Sequence, residues 1–176
     1  MIDIIYLLFF ILPAYVASSS PLILGGKTPI DFNKKFFDNK PIFGKGKTWA
    51  GFFGGFFAGV FCSILEAKLL ISTPFDLFAS NIYIYLQVGI LLSFGAVLGD
   101  LLGSFIKRRL GYKQGKPSFL LDQLSFLVVS LAFVYFFGFR YIFSFESITF
   151  LFLFTYFIHK LANYLAYLLK IKKVPW

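Results

Sequence analysis

Cysteine and histidine are almost missing from this chain of 176 residues, which holds one of each, Cys62 and His159. A single cysteine inside an apolar run supplies neither a disulfide framework nor a thiolate metal site, so Cys62 reads as packing. A single histidine argues against a Ser-His-Asp hydrolase. His159 shares a helical face with Tyr156, Lys160 and Asn163, and with no second His or Cys nearby it is a weak metal ligand, better read as packing or headgroup contact. Acidic residues are scarce too: 8 Asp and Glu stand against 17 Lys and Arg, for a formal charge of +9. In a soluble protein that excess would point to nucleic acid. Here 59% of residues are hydrophobic, 27 are Phe and the mean hydropathy is +0.80, which excludes a water-soluble fold. The charge therefore belongs to membrane loops, and no nucleic-acid partner is expected.

What the chain has in abundance is apolar runs of spanning length. Five are expected to be helices: Ile4 to Leu24, Trp49 to Leu70, Ile82 to Ile106, Ser118 to Phe137 and Ile148 to Leu169. The fold class is thus an all-α integral membrane protein of about five transmembrane helices in a single domain, residues 1–176. Met1 to Leu12 carries no Lys or Arg and so lacks the basic region of a signal peptide, which makes it a retained first helix. Pro13 and Pro21 lie in that segment, which is expected to kink or to end early at the second of them.

The basic residues are unevenly placed. Lys27, Lys34, Lys35, Lys40, Lys45 and Lys47 follow the first segment; Lys107, Arg108, Arg109, Lys113 and Lys116 follow the third; Lys170, Lys172 and Lys173 follow the fifth. The other two connections are nearly neutral. The positive-inside rule puts the amino terminus outside and the carboxyl terminus in the cytoplasm, as an odd number of spans requires. The expected location is the cell membrane, with a multi-pass chain whose polar chemistry faces the cytoplasm.

Two glycine stripes at four-residue spacing, Gly51, Gly55, Gly59 and Gly95, Gly99, Gly103, allow close helix packing. The second runs into Asp100. A carboxylate there costs about 2.5 to 3.5 kcal/mol on insertion scales and needs a partner or a purpose. Asp100, Ser104 and Lys107 fall near one helical face, so a structural pair with Lys107 is one reading. Asp122 returns to the same membrane face after a short basic connection. Two carboxylates with cations between them match a magnesium and phosphate site, since magnesium takes few protein oxygens and completes its shell with water and phosphate. Before the second helix stand Gly44, Lys45, Gly46, Lys47 and Thr48, where amides at a helix start attract anions. This is no P-loop, because Pro41 occupies the position where GxxxxGK[ST] needs glycine. A basic loop that only sets topology is the alternative reading. The paired motifs of CDP-alcohol phosphotransferases are absent as well.

The run from Gly99 and Asp100 through Gly103, Ser104, Lys107, Arg108 and Arg109, followed by Leu121, Asp122, Gln123 and Leu124, resembles the signature of membrane cytidylyltransferases, in their archaeal branch the CDP-archaeol synthase family. Pro29 to Phe32, Gly44 to Gly55 and Lys172 to Trp176 extend the resemblance over nearly the whole chain. It implies CMP transfer from CTP to a lipid phosphate, with Mg2+ as cofactor and a diether of glycerol 1-phosphate with unsaturated isoprenoid chains as acceptor. Under that reading Asp100 and Asp122 bind the metal and act in catalysis with Lys107 and Arg108. Gly44, Lys45, Lys47, Thr48, Ser104, Arg109 and Ser125 contact substrate. Ser125 stands where related sequences often carry a second aspartate. The partners are CTP, the lipid phosphate and membrane lipids, with oligomeric state open, a homodimer included. Two alternatives remain at this stage: a transporter or channel for anions or lipids, and a cytidylyltransferase for diacyl phosphatidate.

Overall fold

The computed structural model describes residues 4–118, 120–140, 143–171 and 174; Asp3, Lys172, Lys173, Pro175 and Trp176 lie outside them. Helix α1 spans Ile4–Ser19, α2 Pro21–Leu24, α3 Trp49–Leu70, α4 Ile82–Arg109, α5 Leu121–Phe136 and α6 Phe145–Leu168. Among the described residues there is no strand, only two isolated bridges, Pro29 with Thr48 and Lys35 with Pro41.

The first expected span is divided. Pro13 is tolerated inside α1, buried, whereas Pro21 opens α2 at its first position after a break at Ser20. Proline suits that position because the missing N–H has no partner at a helix start. Ile4–Leu24, Trp49–Leu70, Ile82–Arg109 and Phe145–Leu168 are long and apolar enough to cross a membrane. The fourth expected span differs. It forms only the 16 residues of α5, about 24 Å of helix against an apolar core of about 30 Å. Part of the reason lies in the connection, where Ser118 donates its amide to Asp122 Oδ2 at 2.8 Å and the chain becomes helical only at Leu121.

The glycine stripes do not face each other. A methyl group on Gly55 would stand 2.5 Å from the Ala17 carbonyl oxygen, and one on Gly59 would stand 2.6 Å from that of Pro13. The first stripe therefore seats α1 against α3. A methyl on Gly95 or Gly99 would stand 2.5 Å from Ser130 Cα or the Ser125 carbonyl oxygen, so the second seats α5 against α4. These pairings run antiparallel, Gly103 level with Leu121 and Gly95 with Ser130. Ser130 also donates to the Leu92 carbonyl oxygen at 2.9 Å, and Tyr15 and Thr155 share a 2.7 Å hydrogen bond that ties α6 to α1. Such polar ties between helices supplement close packing where lipid offers no hydrophobic drive.

The tight contacts leave α1, α4 and α5 around a core that includes Ile11, Ala14, Leu92, Phe126 and Leu127. Helix α6 is different: its buried residues, Ser147, Leu151 and Thr155, all lie in its first half. Its second half forms one wall of a crevice at the end of the bundle where α1 and α4 finish and α3 and α5 begin.

Candidate active site

Asp100 and Asp122 line one cavity of about 570 Å³, in the company of Lys47, Lys107, Lys116 and Ser104. Five helices, α1, α2, α4, α5 and α6, and two connections meet there. Helix α1 contributes Ser18, α5 contributes Ser125, and α6 contributes His159 and Asn163. The basic loops that are far apart in sequence thus converge at one end of the molecule.

Each carboxylate holds a cation. Lys47 Nζ lies 3.9 Å from Asp100 Oδ2, which also accepts from Ser18 Oγ at 3.1 Å. Lys107 makes its ion pair with Asp122, not with Asp100 as the helical spacing offered. Asp122 Oδ2 takes the Ser118 amide. Ser125 Oγ donates to the Leu121 carbonyl oxygen at 2.7 Å while lining the cavity, against Gly103. No group of three or more His, Cys, Asp and Glu able to hold a metal gathers among the described residues. The donor set still fits magnesium: two carboxylates with serine hydroxyls beside them leave most coordination positions to phosphate oxygens and water.

The loop ahead of α3 is assembled by residues that do not face the cavity. Thr48 is the N-cap of α3, its Oγ1 accepting from the Gly51 amide at 3.1 Å and the Gly26 amide at 3.2 Å. Asp31, which is buried, accepts the amides of Phe43 and Gly44 at 2.9 Å each and that of Asn33 at 3.0 Å. Burial alone would raise the Asp31 pKa, but these amide bonds outweigh it and hold the carboxyl below its ordinary value. The turn also needs Gly44 itself, whose φ is +95°. Asp31 thereby fixes the segment that delivers Gly46 and Lys47 to the cavity.

The remaining expected site residues are placed elsewhere. Arg109 pairs with Asp38 and donates to the Pro41 carbonyl oxygen, which clamps the first loop to the end of α4. Arg108 is buried, donates to the Tyr112 carbonyl oxygen at 2.6 Å, and lines a second, smaller pocket with Lys40, Gly44, Lys113 and Gln114. Lys45 is exposed. Ser18 and Lys116 were not among the expected site residues. The serine run Ser18 to Ser20 ahead of Pro21 was the available signal for the first, and its place in the basic connection for the second.

A bundle of membrane-length helices with paired carboxylates and three lysines around one terminal cavity defines a class: integral membrane proteins with a site suited to phosphate chemistry within the helix ends. The comparisons narrow that class. A family model described as CarS-like, CDP-archaeol synthase, matches residues 1–176. The CDP-archaeol synthase of Methanococcus aeolicus is 48% identical over 180 residues, 99% of this chain and 99% of that protein. That of Pyrococcus abyssi is 47% identical over 168 residues, 96% and 95% of the two chains. That of Archaeoglobus fulgidus is 40% identical over 179 residues, 100% of each. A solved structure, described as an intramembrane enzyme for archaeal membrane lipids biosynthesis, is similar with a TM-score of 0.77 and 32% identity, over 89% of this chain and 91% of that one. This chain belongs to the CDP-archaeol synthase family.

Proposed function

We propose that the chain transfers CMP from CTP to a glycerol 1-phosphate lipid bearing two geranylgeranyl ether chains, forming CDP-archaeol and pyrophosphate. The observation that carries this reading is the joint lining of one cavity by Asp100, Asp122, Lys47, Lys107 and Lys116. An oxygen of the lipid phosphate, anionic at neutral pH, attacks the α-phosphorus of CTP in line. The new P–O bond forms as the bond to the oxygen bridging α and β breaks, and that oxygen leaves with its electron pair on pyrophosphate. No strong base is needed, so the chain's task is to position the phosphates and to neutralise charge.

Asp100 and Asp122 would hold a magnesium ion, which supplies charge neutralisation on the triphosphate and polarises its oxygens. Lys47 and Lys107, which pair with the two aspartates, turn to the phosphates when nucleotide arrives. Ser104 and Ser125 offer hydroxyls to the same groups, while Gly44, Thr48 and Arg109 act by holding the first loop in place. Arg108, with Lys113 and Lys40 around it, provides a second cationic pocket for phosphate on the far side of that loop. The site faces the cytoplasm of a cell-membrane protein with its amino terminus outside, in agreement with the basic loops at the site end.

The test is purified protein in lipid with CTP, Mg2+ and the diether glycerol phosphate. CDP-lipid is expected, and it is expected to fall sharply in Asp100→Asn and Asp122→Asn. Unchanged turnover in both variants would remove the metal assignment. Equal turnover of diacyl phosphatidate would remove the chain specificity, and a nucleotide-independent flux in liposomes without any CDP-lipid would make the protein a transporter.

A further inference from the structure

The connection between α2 and α3 carries a hairpin whose tip does not serve the cavity. Lys35 and Pro41 pair across it, and the Phe36 amide donates to the Lys40 carbonyl oxygen at 2.8 Å. At its tip Phe37 is 97% exposed, more than any other large apolar side chain among the described residues, and Lys34 and Lys35 beside it are exposed as well. The hairpin is nevertheless firmly held. The Arg109 guanidinium lies 4.9 Å from the Phe36 ring and 5.0 Å from the Phe105 ring, and those two rings meet edge to face at 5.3 Å.

That clamp fixes the height of the tip. Phe105 lies in the closing turns of α4, next to an outward row of Leu102, Ile106 and Leu110, which are 49%, 42% and 64% exposed. On a membrane helix such a row meets acyl chains, and the basic cluster at Lys107 to Arg109 marks where they give way to headgroups. The hairpin packs against the helix at this level, and Phe37 stands outside the clamp.

We infer that the hairpin docks on the bilayer surface on the site's side, with Phe37 inserted at the interface and Lys34 and Lys35 on the phosphates of acidic lipids. Aromatic rings favour this depth, and lysines are drawn to an anionic surface. Through the Arg109 clamp the docked hairpin holds the loop bearing Lys47 at the depth of lipid headgroups. This inference does not depend on which reaction the cavity performs.

Cys62 is the sole cysteine, so Cys62→Ala with Phe37→Cys allows one nitroxide on the full-length chain. In vesicles of phosphatidylcholine with phosphatidylglycerol, spin relaxation by oxygen is expected to exceed relaxation by a water-soluble nickel chelate. Substituting Lys34 or Lys35 by Ser is expected to lower the ratio of inserted to withdrawn label roughly fivefold per lysine. A second variant, Phe37→Trp with Trp49→Phe and Trp176→Phe, is expected to be quenched by lipids brominated near the headgroup. Nickel-dominated relaxation, or no quenching by brominated lipid, overturns the inference. So does oxygen access that changes when the protein is diluted in lipid, since a second copy would then be covering Phe37.

Discussion

Asp31 and Asp76 sit in connections, Asp100 and Asp122 inside helices α4 and α5, and the two pairs have different partners. Asp31 accepts three backbone amides. Asp76 accepts the Phe78 amide and the hydroxyls of Ser80 and Tyr85. Their oxygens are taken up by neighbours that fold the local chain. Asp100 accepts a hydrogen bond from the Ser18 hydroxyl and Asp122 one from the Ser118 amide, and each also faces a lysine ammonium on a flexible stem beside open space. A lysine can change partner when an anion arrives, whereas a backbone amide in a folded turn cannot. The lesson is that sequence position inside an apolar helix marks an aspartate as unusual, but the kind of partner decides whether it is architecture or chemistry.

The sharpest way to break this comparison is to neutralise all four aspartates one at a time. Asp100→Asn and Asp122→Asn are expected to lower CDP-lipid formation by about 10²- to 10³-fold, the scale of losing one preorganised charge contact, with little change in thermal unfolding. A steady-state assay with a parallel melting curve checks this. A large loss of stability instead would place these residues with Asp31. Next in size, Gly99→Ala forces a methyl group onto the Ser125 carbonyl oxygen and is expected to destabilise the α4 and α5 pair by about 1–3 kcal/mol, read from unfolding in detergent.

Asp31→Asn is expected to cost about 1–3 kcal/mol of stability, because the amides of Phe43, Gly44 and Asn33 lose their charged acceptor, and to raise KM for CTP through Lys47. Its pH dependence has a definite sign. The folded carboxyl titrates below its ordinary value, so its stabilisation is present above the unfolded pKa of about 3.9 and is lost as pH falls through the folded one. The gap between wild type and Asp31→Asn is expected to close under acid, and a gap constant with pH would contradict the assigned bonds. Thr48→Ala removes the α3 cap and is expected to cost about 1 kcal/mol, with Thr48→Ser restoring most of it. The smallest effect is expected of Asp76→Asn, at the opposite end of the bundle: a modest shift in melting and no change in turnover.

Much of this was legible in the residues. Trp49–Leu70 is bounded as its apolar run predicts, because Thr48 and the start of polar sequence after Leu70 leave little freedom. The fourth segment was less so. Its apolar composition continues to Ser118, yet the bond between the Ser118 amide and Asp122 delays the helix, and composition carries no sign of that bond. Arg109 illustrates the same limit at the site. Three consecutive basic residues look alike in sequence, but the helix sends Lys107 into the cavity, Arg108 into a second pocket and Arg109 onto the first loop.

The sequence by itself determined that this chain lives in a membrane, that its basic residues gather in alternate connections, and that Asp100 falls inside an apolar helix. Those properties follow from transfer free energy and charge, which are sums over residues and need no coordinates. Only the tertiary structure decided which lysine meets which aspartate, that the two glycine stripes seat different helices, and that Asp31 and Arg109 hold the first loop. Those outcomes depend on distances of a few ångströms between segments far apart in the chain, which helix packing and the hydrogen bonds of the folded loops set together.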